Sequence, residues 1–140
     1  MSDLVAEWVD KAEGDYRTAI REARARTGPN YDAVCFHCQQ CAEKYLKAFM
    51  QSRGETIPLI HHLVRLLERC NAHDPNFELI RPELETLNDY AVDIRYPGDR
   101  ATREEAREAV RAMTVARAYV RARLGLGTVR RKKNAARKRR

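Results

Sequence analysis

The sequence predicts an all-α protein, an antiparallel bundle of four to five helices. Apolar residues recur at spacings of three and four along most of the chain, the pattern of helices that bury one face. The six glycines and five prolines mostly fall between these patterned segments, where they act as turn signals. No alternating strand pattern and no glycine-rich phosphate loop is found, which excludes Rossmann and P-loop proteins.

Two long helices are predicted in the first third of the chain. The first covers residues 3–26, and Gly28 and Pro29 end it. The second runs from residue 31 to residue 53, where Gly54 supplies a stop. Both segments carry a continuous apolar stripe, so we expect each to face the core.

The third and fourth helices are predicted to be shorter. The third follows Pro58, ends near Asn71, and is separated from the fourth by a break at residues 74–75. The fourth extends to Ile94, with Pro82 tolerated in its first turn because the missing N–H has no intrahelical partner there.

The fifth helix has the clearest start signal. Residues 96–98, Tyr-Pro-Gly, must end the preceding helix. Thr102 and Glu105 then have the spacing of a capping box, and apolar residues continue to Leu124 before Gly125.

The formal net charge of +7 is concentrated at one end. Residues 128–140 hold eight of the 27 basic residues and no acid, which leaves 19 basic against 20 acidic residues in 1–127. We therefore predict a nearly neutral helical domain over 1–127 and a basic, disordered tail over 128–140 that contacts nucleic-acid phosphates. The basic residues of this tail are Arg130, Arg131, Lys132, Lys133, Arg137, Lys138, Arg139 and Arg140.

The four cysteines favour packing over metal binding. The N-terminus has no signal-peptide pattern and no stretch of eighteen apolar residues exists, so we expect a cytoplasmic protein with reduced thiols. Cys35, Cys38 and Cys41 resemble part of an iron–sulfur run, but they lie within a helix and lack a fourth ligand. Zinc would need His37 and Cys70 to be brought close by the fold. We expect neither a metal nor a cofactor.

Arg95 and Tyr96 form the main candidate site on chemical grounds. A proline turn after a helix presents both side chains near the start of the next helix, whose free amides favour an anion. The alternative is that Arg95 pairs with an acid such as Asp93 or Glu43 while Tyr96 packs on the bundle.

Two further pairs of residues have open assignments. Lys44 and Lys47 either extend a basic groove along the second helix or are solvated. His61 and His62 open the third helix, where neutral imidazoles either act as a base or cap and pack.

Three motifs in order resemble those of the HEPN domain family. Residues 36–48, FHCQQCAEKYLKA, are similar to its QQAAEKxLKA helix. Residues 61–67 resemble its H-x-L-x-x-LL helix, and residues 87–97 resemble its L-x-x-Y-x-x-x-RYP ending. The similarity covers roughly residues 4–124, and the chain is therefore identified as resembling this family.

The resemblance implies a four- or five-helix bundle, commonly a homodimer, that acts beside a small nucleotidyltransferase in toxin–antitoxin-like pairs. A binding module for nucleotide or RNA phosphate is the leading hypothesis. Its site would contain Arg95, Tyr96, Lys44, Lys47 and Tyr90.

Some members of the family are metal-independent ribonucleases, which gives the first alternative. They use an R-x(4–6)-H motif from two subunits. Arg95 matches the arginine, but no histidine follows His73. A divergent ribonuclease would need His61 or His62 as the missing base, a group worth about 10²–10⁴ in rate. The second alternative is a structural interaction protein.

Overall fold

The computed structural model describes residues 1–91 and 97–127, which form only helices and their connections. The all-α prediction is confirmed. Two 3-10 helices, Pro75–Ile80 and Asp89–Ala91, flank the fourth α-helix. The five α-helices of the described residues are α1 (Asp3–Ala23), α2 (Tyr31–Ser52), α3 (Leu63–Asn71), α4 (Arg81–Asn88) and α5 (Arg103–Arg123). The predicted site residues Arg95 and Tyr96 and the predicted tail 128–140 lie outside the described residues.

Side-chain caps explain where the long helices begin. Ser2 accepts a hydrogen bond from the Val5 amide at 3.3 Å, and Asn30 accepts one from the Ala33 amide at 3.0 Å. The predicted capping box of α5 is present: Thr102 Oγ1 accepts from the Glu105 amide at 3.1 Å, and the Glu105 carboxylate accepts from the Thr102 amide at 2.8 Å. Each cap pairs amides that would otherwise lack an intrahelical partner.

The third helix begins later than predicted. Residues 55–62 are not helical, and Leu59 is 95% exposed. His61 and His62 therefore precede α3, and His62 is its N-cap, with Nδ1 accepting a hydrogen bond from the Arg65 amide at 3.3 Å. The imidazole ends the extended segment by supplying the acceptor that a serine or aspartate usually provides.

The region between α3 and α4 is more helical than the predicted break. Asp74 caps the 3-10 helix that starts at Pro75, because its carboxylate accepts from the Asn76 amide at 3.1 Å. The α4 helix follows directly, with Pro82 in its first turn as predicted. It ends at Asn88, earlier than the predicted Ile94, and residues 92–94 of that prediction lie outside the described residues.

The core is arranged around α2, which packs against α1, α3, α4 and α5. Tyr45, Leu46 and Met50 are buried at its centre. All four cysteines are buried free thiols, 0% exposed. Burial raises the pKa of Cys35 to about 12, with smaller contributions from neighbouring acids, so the thiol stays protonated at neutral pH. Within 1–91 and 97–127, no helix has the length and apolar character needed to cross a membrane.

Candidate functional site

The start of α3 and the end of α4 meet at one end of the bundle. The Asn88 side-chain oxygen accepts a hydrogen bond from the Leu63 amide at 2.7 Å, and Asn88 Nδ2 lies 3.1 Å from His62 Nε2. The hydrogen bond between Leu63 and Asn88 holds the start of α3, and with it His61 and His62, beside the last turn of α4. The chain leaves α4 here toward Arg95, which is seven residues after Asn88.

A buried carboxylate orients an exposed histidine at this junction. Glu43 Oε2 accepts hydrogen bonds from Lys47 Nζ at 3.0 Å and from His61 Nδ1 at 2.9 Å. The side chains of Glu43 and Lys47 are each 5% exposed, whereas the His61 side chain is 71% exposed. With its Nδ1 proton donated to Glu43, the imidazole has the tautomer that leaves Nε2 as a proton acceptor. This carboxylate–histidine pair is the arrangement that general bases use.

Two glutamines of α2 hold the segment that carries His61. Gln39 is fully buried, and its amide nitrogen donates to the His61 carbonyl at 3.1 Å. Gln40 donates to the Gln39 side-chain oxygen at 2.7 Å. Both the backbone and the ring of His61 are therefore fixed to α2.

The spacing of these α2 residues explains why they act together. Gln39, Glu43 and Lys47 are four residues apart, so they lie on one face of the helix. From α1, the ring of Trp8 lies 5.8 Å from the Lys47 ammonium, a cation–π distance. The role of Glu43 as partner of His61 was not predicted, although the four-residue spacing of Gln39, Glu43 and Lys47 was visible in the sequence.

A second polar group joins α1 to α2. Asp15 is within 2.5 Å of Lys44 Nζ and 2.8 Å of His37 Nδ1. Of the two lysines predicted to bind phosphate, Lys44 is thus paired with Asp15, and Lys47 is buried with Glu43. A phosphate bound by Lys44 would compete with Asp15, and the Lys47 ammonium lies inside the bundle.

Tyr90, also predicted to bind phosphate, lies beside an open cavity of about 450 Å³. Burial and then nearby negative charge, including Glu105 and Glu108, raise the pKa of Tyr90 to about 12, so its hydroxyl remains a hydrogen-bond donor at neutral pH. The charged residues that line the cavity are Asp89, Asp99, Arg100, Glu105 and Glu108. Four of these five are acidic, which opposes a phosphate on this side of Tyr90.

The two histidines have different roles. His62 caps α3 through Nδ1, which fits the capping alternative. His61 has an exposed ring on a buried carboxylate, which fits the alternative of a base. Among the described residues, no group of three or more His, Cys, Asp or Glu side chains has the geometry to hold a metal ion.

Comparison with known proteins gives concordant results. Residues 5–123 match the model of the HEPN domain. The structure is similar to the crystal structure of TT1696 from Thermus thermophilus, with a TM-score of 0.71 and 26% identity over 86% of this chain and 98% of that one. It is also similar to ST0689, an archaeal HEPN homologue, with a TM-score of 0.67 and 26% identity over 85% of this chain and 96% of that one. No curated protein matches the sequence.

Proposed function

The chain belongs to the HEPN domain family, and from this membership we propose that it is a dimeric binding module for a nucleotide or RNA phosphate. In this proposal it acts with a nucleotidyltransferase partner in a toxin–antitoxin-like system. The ligand site lies at the end of the bundle where α3 begins and α4 ends.

The contact of Asn88 with the start of α3 is the observation that carries this proposal. It joins the exposed His61 ring and the α3 N-terminus to the segment that leads to Arg95. The first turn of α3 contains no acid and carries the exposed Arg65. The positive end of the α3 dipole, the exposed His61 ring and the Arg65 guanidinium together favour a phosphate.

Binding of a short RNA oligonucleotide and of ATP, measured by fluorescence anisotropy and calorimetry, tests the site. We expect Arg95→Ala to weaken binding about 10- to 100-fold, because a charged hydrogen bond contributes about 1.5–3 kcal/mol. Lys11→Ala is the matched control, since it removes one exposed positive charge from α1.

Equal losses in the Arg95 and Lys11 variants would contradict the site, because net charge alone would then explain binding. If neither ligand binds and Arg95→Ala changes only the melting temperature, the chain is a structural interaction protein. Deletion of residues 128–140 is expected to remove most of the salt dependence of RNA binding and to leave the effect of Arg95→Ala intact.

The proposed assembly has its own measurements. Light scattering of the purified chain is expected to give twice the monomer mass of 16.2 kDa. Co-expression with a nucleotidyltransferase encoded by a neighbouring gene is expected to yield a stable complex. A chain that is monomeric in light scattering and forms no complex with such a partner would contradict this part of the proposal.

A divergent metal-independent endoribonuclease is the second candidate, and the Glu43–His61 pair favours it. In that reaction His61 Nε2 takes the proton of a ribose 2′-hydroxyl as the hydroxyl oxygen attacks the adjacent phosphorus. The bond from phosphorus to the 5′-oxygen of the next nucleotide breaks, which leaves a 2′,3′-cyclic phosphate, and the departing 5′-oxygen takes a proton from water. Arg95 stabilises the charge on the phosphate during this step. His61 would then replace the histidine that the family's ribonuclease motif lacks in this chain.

Cleavage of total RNA in the presence of EDTA separates the two candidates. For a ribonuclease, His61→Ala should lower the cleavage rate about 10²–10⁴-fold. The control His73→Ala should leave the rate unchanged, because His73 pairs with Glu55, outside the α3–α4 junction. EDTA-resistant cleavage lost in both His61→Ala and Arg95→Ala would replace the binding-module proposal. Absence of cleavage by the wild-type chain would exclude the ribonuclease.

A further inference from the structure

A groove of about 750 Å³ lies away from the α3–α4 junction, between the end of α1, the loop after it, and α5. Its floor is aliphatic and includes Ile20, Val110 and Val115, of which Val115 is 46% exposed. Five arginines surround this floor, and we name it the arginine groove. They are Arg24, Arg26, Arg103, Arg107 and Arg111.

The arginines make the groove strongly positive. All five are exposed, and guanidinium groups stay charged at any physiological pH. Among the described residues, the only ion pair recorded for the five joins Arg107 to the exposed Glu104 at 3.3 Å. Arg103, Arg107 and Arg111 are four residues apart, so they form one row along about 12 Å of α5.

This charge excludes two occupants that the chain itself offers. Residues 128–140 contain eight basic residues and no acid, so the tail is repelled by the groove. A second copy packed through the same face would bring ten guanidinium groups together. The occupant must carry negative charge.

The floor decides between nucleic acid and protein. Sites for single-stranded nucleic acid combine a positively charged groove with aromatic side chains on which successive bases stack. Tyr31 is the one aromatic residue among those that line the groove in the described structure, and the floor is otherwise aliphatic. Branched aliphatic side chains with carboxylates beside them fit this surface better than bases do.

We propose that the arginine groove docks an acidic amphipathic helix of a partner protein. Leu, Ile or Val side chains of that helix pack on Ile20, Val110 and Val115, and its Glu or Asp residues pair with the arginine row. A row of about 12 Å matches two to three turns of such a helix. The docking is independent of the proposed phosphate site, which uses α3 and α4.

A synthetic peptide of about 18 residues, five turns of helix, is the probe, with leucines and isoleucines on one face and glutamates on the other. A peptide of the same composition with its apolar residues dispersed around the helix is the control, because both peptides have the same attraction to the basic tail. We expect the full-length chain to bind the amphipathic peptide at least about tenfold more tightly than the dispersed one in fluorescence anisotropy.

Variants of the full-length chain locate the binding. Arg111→Glu and Val115→Asp are expected to weaken binding of the amphipathic peptide about tenfold or more. The matched controls Lys11→Glu and Leu79→Asp change exposed residues outside the groove and should leave binding within about twofold. Thermal melts followed by circular dichroism verify that each variant is folded.

Three results would overturn the proposal. Equal binding of the two peptides, or no binding of either, would mean that the groove does not bind the apolar face of an amphipathic helix. Unchanged peptide affinity in Val115→Asp would mean that the peptide binds outside the arginine groove. An oligouridylate of the same charge that binds more tightly and loses affinity in the same variants would assign the groove to nucleic acid.

Discussion

At the scale of single residues, the charges buried along α2 are stable because each has a partner. Glu43 and Lys47 are both buried, and an unpaired charge at such depth would be expensive. The Glu43 carboxylate has three donors: Lys47 and His61 on Oε2, and Gln40, at 3.5 Å, on Oε1. This satisfied pair also fixes His61, whose ring is exposed to water.

We predict that Glu43→Gln lowers the free energy of unfolding by about 3–5 kcal/mol, because it leaves the Lys47 ammonium buried without a counter-charge. Urea unfolding measures the loss. The double variant Glu43→Gln with Lys47→Met should recover most of it, since no buried charge then remains. A single variant as stable as the wild type would show that water reaches Lys47.

The cysteines give a second prediction at this scale. Desolvation by burial raises the pKa of Cys35, Cys38, Cys41 and Cys70. Because the thiolate is the reactive form, a thiol reagent such as Ellman's reagent should react with the native chain only as fast as it opens, and with all four thiols at once in urea. Rapid reaction of the native protein would contradict the packing of these side chains.

At the scale of elements, caps determine where the helices of this bundle start. The start of α5 could be predicted from the sequence, because its capping box, Thr102 and Glu105, depends only on residues three positions apart. The start of α3 was predicted too early, because Leu59 and the apolar residues after it fit a helical pattern. His62 as N-cap, and the pairing of the Leu63 amide with Asn88 of α4, are contacts that the local pattern does not contain.

Loss of the α5 cap should be measurable. Thr102→Ala removes the acceptor of the Glu105 amide and should lower the free energy of unfolding by about 1 kcal/mol. Thr114→Ala on the same helix is the matched control: its hydroxyl only bonds back to the Val110 carbonyl, and alanine has the higher helix propensity. We expect this control to be neutral or slightly stabilising. Equal losses in both variants would mean that threonine, and not the cap, is what matters.

At the scale of the whole molecule, one carboxylate joins three helices. Glu13 of α1 accepts hydrogen bonds from Tyr45 of α2 and, through both oxygens, from Arg117 of α5 at 2.6 and 2.8 Å. Arg121 of α5 donates to the Tyr45 hydroxyl at 3.1 Å, and the Arg117 guanidinium lies 4.0 Å from the Tyr16 ring centroid. The cluster fixes the position of α1 and α5 relative to α2.

This cluster predicts acid sensitivity. Burial alone would raise the pKa of Glu13, but hydrogen bonds from Arg117 and Tyr45 and the charges of Arg117 and Arg121 outweigh it, and the pKa is lowered. A carboxylate whose pKa is lower in the folded state stabilises that state fully above its unfolded pKa of about 4.3. That stabilisation is lost as the pH falls through the folded value.

We therefore expect Glu13→Gln to destabilise the chain at pH 7, by about 2 kcal/mol for the charged hydrogen bonds lost, and the gap to the wild type to shrink below about pH 4. Urea unfolding across pH 3–8 measures both. Glu78→Gln is the control: Glu78 pairs with Arg81 at the surface, where water screens the pair, and stability should hardly change. A gap independent of pH would mean that the loss comes from altered packing and not from the charge of the Glu13 carboxylate.

The sequence by itself determined the helical class, the order of the helices, the α5 capping box and the family motifs, because these depend on residues within a few positions of one another. It also indicated that His61 and His62 were candidates. Only the tertiary structure decided that Glu43 orients His61, that Lys44 pairs with Asp15, and that five arginines surround one aliphatic groove. Those partners are far apart in the chain, and helix periodicity says which face is buried but not which face of another helix it meets.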